Sequence, residues 1–381
     1  MMLPILAPKN RNKHALPSPW FQGKPNTSEK MQIMSLIPAT ILTGFLGAGK
    51  TTLLNRILHE PHGYKIAVIE NEFGEENIDN EILVRDSNEQ IVEMSNGCVC
   101  CTVRGDLIAA LGELARKRRE GALQFDRVVI ETTGLANPGP VAQTFFMDEE
   151  VATDYLLDGV ITVVDASHAM HQLDTYEEAQ RQAGFADRML LSKTDLVTPD
   201  QIMALETRLK RMNPRAPLLH ADFGKVAISE ILDIRGFNLN ERLDIDPDFL
   251  KAESHDHDHA HQCDDHCDHH DHDHAHHHGG SHTDDITAFV FRSDRAFDPG
   301  RLEEFLGSLI KVYGPRMLRY KGVLWMEGAS RKVIFQGVHQ TMGSDLGGQW
   351  AETEKRGSKI VFIGQNLPKG IFIEGLEQCL V

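Results

Sequence analysis

The sequence predicts an α/β protein with a mainly parallel sheet, followed by a small α+β domain at its C-terminus. Three observations predict it. Between residues 38 and 244, short Val/Ile/Leu runs alternate with stretches of helical periodicity, as in a sheet covered on both faces. A glycine-rich stretch, Gly44-Phe45-Leu46-Gly47-Ala48-Gly49-Lys50-Thr51-Thr52, joins the first run to the first helix. Beyond residue 285 the order becomes strand, helix, three strands, helix, which suits helices packed on one face of a small sheet.

Taken in order, strands are expected at 39–43, 66–70, 90–94, 128–131, 160–165 and 189–192. Leu53, Leu54, Ile57 and Leu58 recur at helical spacing after the glycine-rich stretch. The helix starting near Asp106 carries one apolar stripe of Leu107, Ile108, Leu111, Leu114 and Ala115. Arg116, Lys117, Arg118 and Arg119 sit at its end, where the helix dipole favours cations. In the C-terminal domain Thr287, Phe289 and Phe291 alternate with Ala288 and Val290, as a strand requires. Asp298-Pro299 starts a helix that buries Leu302, Phe305, Leu306, Leu309 and Ile310. Strands at 318–326, 333–338 and 359–363 follow, then a last helix from near Pro368.

The 381 residues have room for two or three domains. A net charge of −17 argues against nucleic acid as a partner, and ten of the acids lie between Ala252 and Asp285 with no Lys or Arg among them. No apolar run approaches a membrane span. Residues 1–35 are basic and proline-rich without a secretory apolar stretch. They read as a disordered or non-native extension, with Met31 or Met34 as alternative starts and a transit peptide as the other reading. The expected division is therefore 1–35, a domain at 36–249, a His/Asp-rich flexible linker at 250–285, and a second domain at 286–381. The six cysteines fall in two clusters plus Cys379, which suggests metal binding in a cytoplasmic setting rather than a disulfide framework.

The glycine-rich stretch fits the phosphate-binding pattern G-x-x-x-x-G-K-[ST], in the strand–loop–helix context that makes the motif credible. Gly44, Gly47, Ala48, Gly49 and Thr52 would cradle phosphates with backbone N–H groups at a helix N-terminus. Lys50 would reach the β- and γ-phosphates and the Thr51 hydroxyl would ligate Mg²⁺. Glu131, at the end of a Val-Val-Ile run, stands where a second Mg²⁺ carboxylate belongs, acting through water. The N–H of Gly134 would report the γ-phosphate. Ser192-Lys193-Thr194-Asp195 resembles the guanine-reading N-K-x-D motif with Ser in place of Asn. Asp195 would accept from guanine N1 and N2, a donor pair that adenine lacks, and the Lys193 stem would lie over the base.

Gly97-Cys98-Val99-Cys100-Cys101 presents three thiols within four residues, suited to one Zn²⁺, Cu⁺ or Co²⁺ ion if the backbone turns. Three protein ligands leave a fourth position open for release. Glu70 and Glu75, in the acidic stretch 69–76, could add oxygen ligands; a solvated acidic loop is the plainer reading. Thirteen of the twenty histidines lie from His255 to His282. His255, His257, His259, His261, Cys263 and Cys267 open that tract and suit Zn²⁺, Ni²⁺ or Cu²⁺.

GFLGAGKTTLLNRIL, IENEFGE, SNGCVCC, ETTGLANPGPVAQTFF and LSKTD, with RYKGVLWMEG and VFIGQNLP further on, resemble the CobW-type P-loop GTPases from about Ile37 to the C-terminus. The resemblance implies a P-loop GTPase domain followed by a small α+β domain that meets partners. It also implies a slow GTPase acting as a metallochaperone, with GTP, Mg²⁺ and Zn²⁺ (or Co²⁺) bound. The metal site would be Cys98, Cys100 and Cys101, joined by Glu70 and Glu75, and the recipient a client metalloprotein. Two other readings stay open: a His-rich metal buffer regulated by GTP, and a nickel or cobalt insertion GTPase. A P-loop phosphotransferase would leave both metal-rich clusters unexplained.

Overall fold

The computed structural model describes residues 36–71, 82–86, 90–91, 103–237, 284–351 and 354–381. The expected N-terminal extension lies outside the described residues.

The first sheet is built from β1 (Ile37–Gly44), β2 (Ile66–Asn71), β3 (Ile82–Asp86), β4 (Gln90–Ile91), β5 (Arg127–Thr132), β6 (Tyr155–Asp165), β7 (Arg188–Ser192) and β8 (Leu218–His220). Around it lie α1 (Lys50–His59), α2 (Val103–Arg119), α3 (Pro138–Met147), α4 (Glu149–Asp154), α5 (Ala169–Thr175), α6 (Glu177–Phe185) and α7 (Pro199–Met212). Strand order is β4-β3-β2-β5-β1-β6-β7-β8. The last six of these strands are parallel, and β3 and β4 form an antiparallel edge. Side chains alternate across the sheet, so Ala39, Ile41, Val128 and Ile130 enter one core while Leu42, Val129, Ile161 and Val163 enter the other.

The sheet grows outward in both directions from β1, with β5 on one side and β6 on the other. Such a switch point opens a crevice at the carboxyl ends of the strands. The glycine-rich loop begins there.

The second sheet has β9 (Ile286–Ser293), β10 (Met317–Leu324), β11 (Arg331–Val338), β12 (Thr341–Gln349) and β13 (Ser358–Gln365), with α8 (Pro299–Tyr313) and α9 (Lys369–Gln378). Its order is β12-β11-β10-β13-β9, antiparallel throughout. Asp298 starts α8 as expected, its carboxylate accepting from the Arg301 N–H at 2.8 Å. Leu302, Leu306, Phe372 and Leu376 of the two helices cover Phe289, Phe291, Phe335 and Phe362 on one face. The other face packs against the first sheet over β9, β10 and β13. Ile286, Val290, Leu318, Val361 and Ile363 pack into the core of the first sheet beside Phe185 and Phe237.

The expected fold class is borne out, with three strands added. β3 and β8 are short, and a three- to five-residue run carries too little alternation to read. β12 contains Gly343, Gly347 and Gly348, a composition that disfavours strands; its ladder with β11 from Val338↔Thr341 onward supplies the order its side chains do not. Of the expected strand at 90–94 only β4 lies among the described residues.

The two-residue turn between β11 and β12 places His339 in left-handed backbone (φ 51°) and inserts its ring against α3. A Cβ on Gly139 would stand 2.4 Å from its Nε2, and the Phe185 ring lies 5.5 Å away. Burial pushes the His339 pKa below the usual histidine value. The carbonyls of Gly314 and Pro315 pull it up, and Arg181 adds to the lowering. A depressed folded pKa means the unfolded chain binds more protons, so His339 stabilises fully above about pH 6.5 and this contribution is lost as pH falls toward the folded value. His339→Gln is therefore expected to flatten the loss of stability below about pH 6.5, by at most about 1.4 kcal/mol per pH unit, in urea unfolding at stepped pH.

Candidate functional site

The loop from β1 to α1 has the conformation that only glycine adopts freely. Gly44, Gly47 and Gly49 have φ of 143°, 71° and 97°. At Gly44 there is also no room, because a Cβ would stand 2.3 Å from the Val163 carbonyl oxygen on β6. The N-terminus of α1 has no side-chain cap and no acid in its first turn, so its N–H groups and dipole stay available to an anion.

Lys50, the first residue of α1, is buried, and its Nζ donates to the carbonyls of Gly44 at 2.9 Å and Phe45 at 3.4 Å. Burial lowers its pKa below the usual lysine value, and the nearby Glu131 carboxylate offsets part of that. Glu131 comes from β5, where it lies in register with Leu42 of β1. The Thr51 hydroxyl donates to Glu131 Oε1 at 3.3 Å. Two hard oxygen donors beside a buried ammonium fit a Mg²⁺ that keeps most of its waters. Gly134, three residues after Glu131, rests directly on the loop. A Cβ there would stand 2.6 Å from the Leu46 nitrogen. Lys50, Thr51, Glu131 and Gly134 thus come from three segments to one place.

Beside them lies the SKTD stretch at the end of β7. Ser192 is buried, and its Oγ donates to the Ala48 carbonyl at 2.7 Å. It ties the phosphate loop to the neighbouring strand, a task that needs no contact with a base. Lys193 has left-handed backbone (φ 57°), and its Nζ donates to Asp165 Oδ2 at 2.7 Å. Burial works to raise the Asp165 pKa, but hydrogen bonds from Lys193, Ser167 and His168 outweigh it and hold the carboxyl below the usual range. Asp222 accepts from the Thr194 N–H and hydroxyl, and Asp195 is left exposed at the rim.

Sequence reasoning missed Asp165, Asp222 and Gln182. Gln182 is a buried α6 residue whose Nε2 donates to the Gly134 and Ala136 carbonyls at 3.1 and 3.0 Å. Nothing in the local pattern marks these three, because a buried polar residue is defined by partners distant in sequence.

Of the expected metal ligands, Cys98, Cys100, Cys101 and Glu75 lie outside the described residues, as do His255, His257, His259, His261, Cys263 and Cys267. Glu70 is the penultimate residue of β2, where its backbone is in register with Glu131. Among the described residues no group of three or more His, Cys, Asp and Glu could hold a metal ion. The thiol of Cys379 is buried in the C-terminal core, where burial raises its pKa.

Comparison with known proteins decides the family. The profile of the CobW/HypB/UreG nucleotide-binding domain matches residues 38–220, and that of the cobalamin synthesis protein CobW C-terminal domain matches residues 286–380. The zinc chaperone YjiA of Escherichia coli is 40% identical over 337 residues, which cover 88% of this chain and 96% of YjiA. The chain belongs to the CobW/HypB/UreG family. As a member it is a P-loop GTPase. The zinc chaperone CobW of Pseudomonas aeruginosa is 30% identical over 382 residues, covering 92% of this chain and 93% of that one. The crystal structure of Zn(II)-bound YjiA GTPase from E. coli superposes with a TM-score of 0.71 at 37% identity, covering 91% of this chain and all of the other. No helix among the described residues is long and apolar enough to cross a membrane.

Proposed function

We propose that this CobW/HypB/UreG member is a GTP-dependent metallochaperone of the cytoplasm. It takes Zn²⁺, with Co²⁺ as the alternative cargo, at Cys98, Cys100 and Cys101 with Glu70 and Glu75, and hands it to a client metalloprotein. The observation that carries this reading is likeness across both sheets, rather than the GTPase half alone, to a protein named as a zinc chaperone. The backbone supports it. The Cys98–Cys101 motif lies in the stretch between β4 and α2, while Glu70 pairs in backbone register with Glu131 near the end of β2. A residue expected to serve the cargo therefore neighbours, in backbone register, one expected to serve the nucleotide.

In this reading Lys50 and the N–H groups of 47–52 hold the phosphates and neutralise charge that develops on them. Thr51 and Glu131 hold Mg²⁺, which supplies further charge neutralisation when bound. Gly134 senses the third phosphate. Asp195 reads guanine while the Lys193 stem covers the base. Asp195→Asn replaces a two-oxygen acceptor with one acceptor and one donor. It is expected to weaken GTP about 100-fold and to narrow the gap to xanthosine triphosphate, measured by competition against a fluorescent GDP. An unchanged order of GTP over xanthosine triphosphate would remove Asp195 from base reading.

Zinc affinity is measured by chelator competition with and without a non-hydrolysable GTP analogue, and again with Cys100→Ala. The expected result is a severalfold difference between nucleotide states, with high affinity lost in the variant. Reciprocity then requires Zn²⁺ to change GTP affinity by the same factor. Equal Zn²⁺ affinity in both states sinks the coupling, and undiminished affinity in Cys100→Ala relocates the site. Removing residues 254–282 separates the buffer reading, since a chaperone keeps its GTPase activity and tight site while a buffer loses its capacity.

A further inference from the structure

Helix α6 touches both the loop beside Glu131 and the point where the chain re-enters the second sheet. Gln182 is 1% exposed and spends both Nε2 hydrogens on the carbonyls of Gly134 and Ala136, while its own carbonyl accepts from Thr162 of β6 at 2.8 Å. In a trans peptide C=O and N–H point in opposite directions. Holding the Gly134 carbonyl toward α6 therefore turns the Leu135 N–H away from it, and the Asn137 N–H likewise. Gln182 thus sets the direction of the Leu135 and Asn137 N–H groups and holds the loop that begins at the Gly134 carbonyl.

Gln180 stands two residues earlier, about 200° around the helix, and so faces away from Gln182. Its Oε1 accepts from the N–H groups of Asp285 and Ile286 at 3.0 and 3.2 Å, and its Nε2 donates to Leu173 O at 2.8 Å. Ile286 begins β9 and Asp285 precedes it, at the C-terminal foot of the His/Asp-rich tract. The neighbouring Asp284 is held by Arg208 at 2.6 Å. Gly184 brings α6 onto the second sheet, since a Cβ there would lie 2.9 Å from both Ile286 Cγ2 and Leu318 Cδ1. The carbonyls of Ala183, Gly184 and Ala186 are all tied to Asn213 Nδ2, at 2.8 to 3.2 Å, so the end of the helix cannot shift alone.

We propose that Gln182 is a positioning residue for GTP hydrolysis, aligning the sensor loop at 133–137, and that α6 transmits the position of this loop to the Asp285–Ile286 foot. The proposal rests on reading Gly134 as sensor of the third phosphate. It requires nothing of the cysteine site, so its test uses the full chain free of transition metal, and failure of the zinc reading leaves it standing. Gln182→Leu keeps the volume and removes both donors. GTP turnover at saturation is expected to fall about tenfold while GDP affinity stays within about twofold. A packing role alone would weaken GDP and GTP alike. That result, or unchanged turnover, overturns the assignment.

Hydrogen exchange tests the second half. In the native chain the Asp285 and Ile286 amides are expected to exchange at different rates with a non-hydrolysable GTP analogue and with GDP. Gln180→Leu should abolish that difference and leave turnover within about twofold. Equal exchange in the two nucleotides overturns the link. If Gln182→Leu does not fold, Gln182→Glu replaces it, bringing a carboxylate against the same two carbonyls, with the same expected split between turnover and GDP affinity.

Discussion

Replacing Lys50 with Ala is expected to lower GTP turnover by about 10²–10³-fold, because it removes a positioned charge from a site where water is scarce. The ammonium is buried against the Gly44 and Phe45 carbonyls, and burial has already reduced its preference for the proton. Glu131 works against that loss, because its carboxylate favours the charged form of the lysine. The variant leaves the buried Gly44 and Phe45 carbonyls without this donor, at a cost in stability of about 1–3 kcal/mol. Phosphate release at saturating GTP, with a thermal melt alongside, separates the two effects. Turnover within twofold of the native chain would mean that Lys50 only holds its own loop.

Asp187→Ala is expected to destabilise the fold by about 3–5 kcal/mol, the typical loss when one partner of a buried ion pair is removed. Asp187 and Arg319 are essentially inaccessible, and two parallel hydrogen bonds of 3.0 and 2.8 Å join them across the two sheets. Arg319 also donates to the Gly236 carbonyl at 3.0 Å, and its guanidinium lies 3.5 Å from the Phe237 ring centroid. The Asp187 carboxylate accepts from the Val160 N–H at 2.9 Å. Removing the carboxylate leaves an uncompensated guanidinium between the sheets. Asp187→Leu combined with Arg319→Met removes both charges and should recover much of the loss. Urea unfolding of the native chain, the single variant and the double variant measures this directly. A single variant within 1 kcal/mol of native would show that water reaches the pair.

Much of the site was legible because its chemistry is local in sequence. A helix N-terminus that binds phosphate needs its glycines, lysine and hydroxyl within nine residues, and Gly44 to Thr52 announce it. Glu131 and Gly134 were legible as the acid that closes a Val-Val-Ile run and the glycine three residues after it. What could not be read is what contact alone defines. Ser192 looked like a shortened reader of the base, yet its hydroxyl ties β7 to the Ala48 carbonyl. Asp165 ends a strand pattern that says nothing of its role, Asp222 and Gln182 carry no motif, and each takes its meaning from a partner brought near by the fold. The buried second face of the C-terminal sheet was equally hidden. Alternation in β9 shows that Val290 and Phe289 point opposite ways, but not that both directions are dry.

Because that second face packs against the first sheet, the two sheets do not depend on the peptide chain between them to stay together. Phe237 ends one side of the gap packed under Arg319, and Asp284 opens the other side held by Arg208. The 46 residues at 238–283 span two anchored points. Both anchors lie within the described residues, so the contact between the two sheets stands on side chains outside this segment. Changing the number of histidines and aspartates in this segment removes none of the contacts described between the sheets or around Lys50.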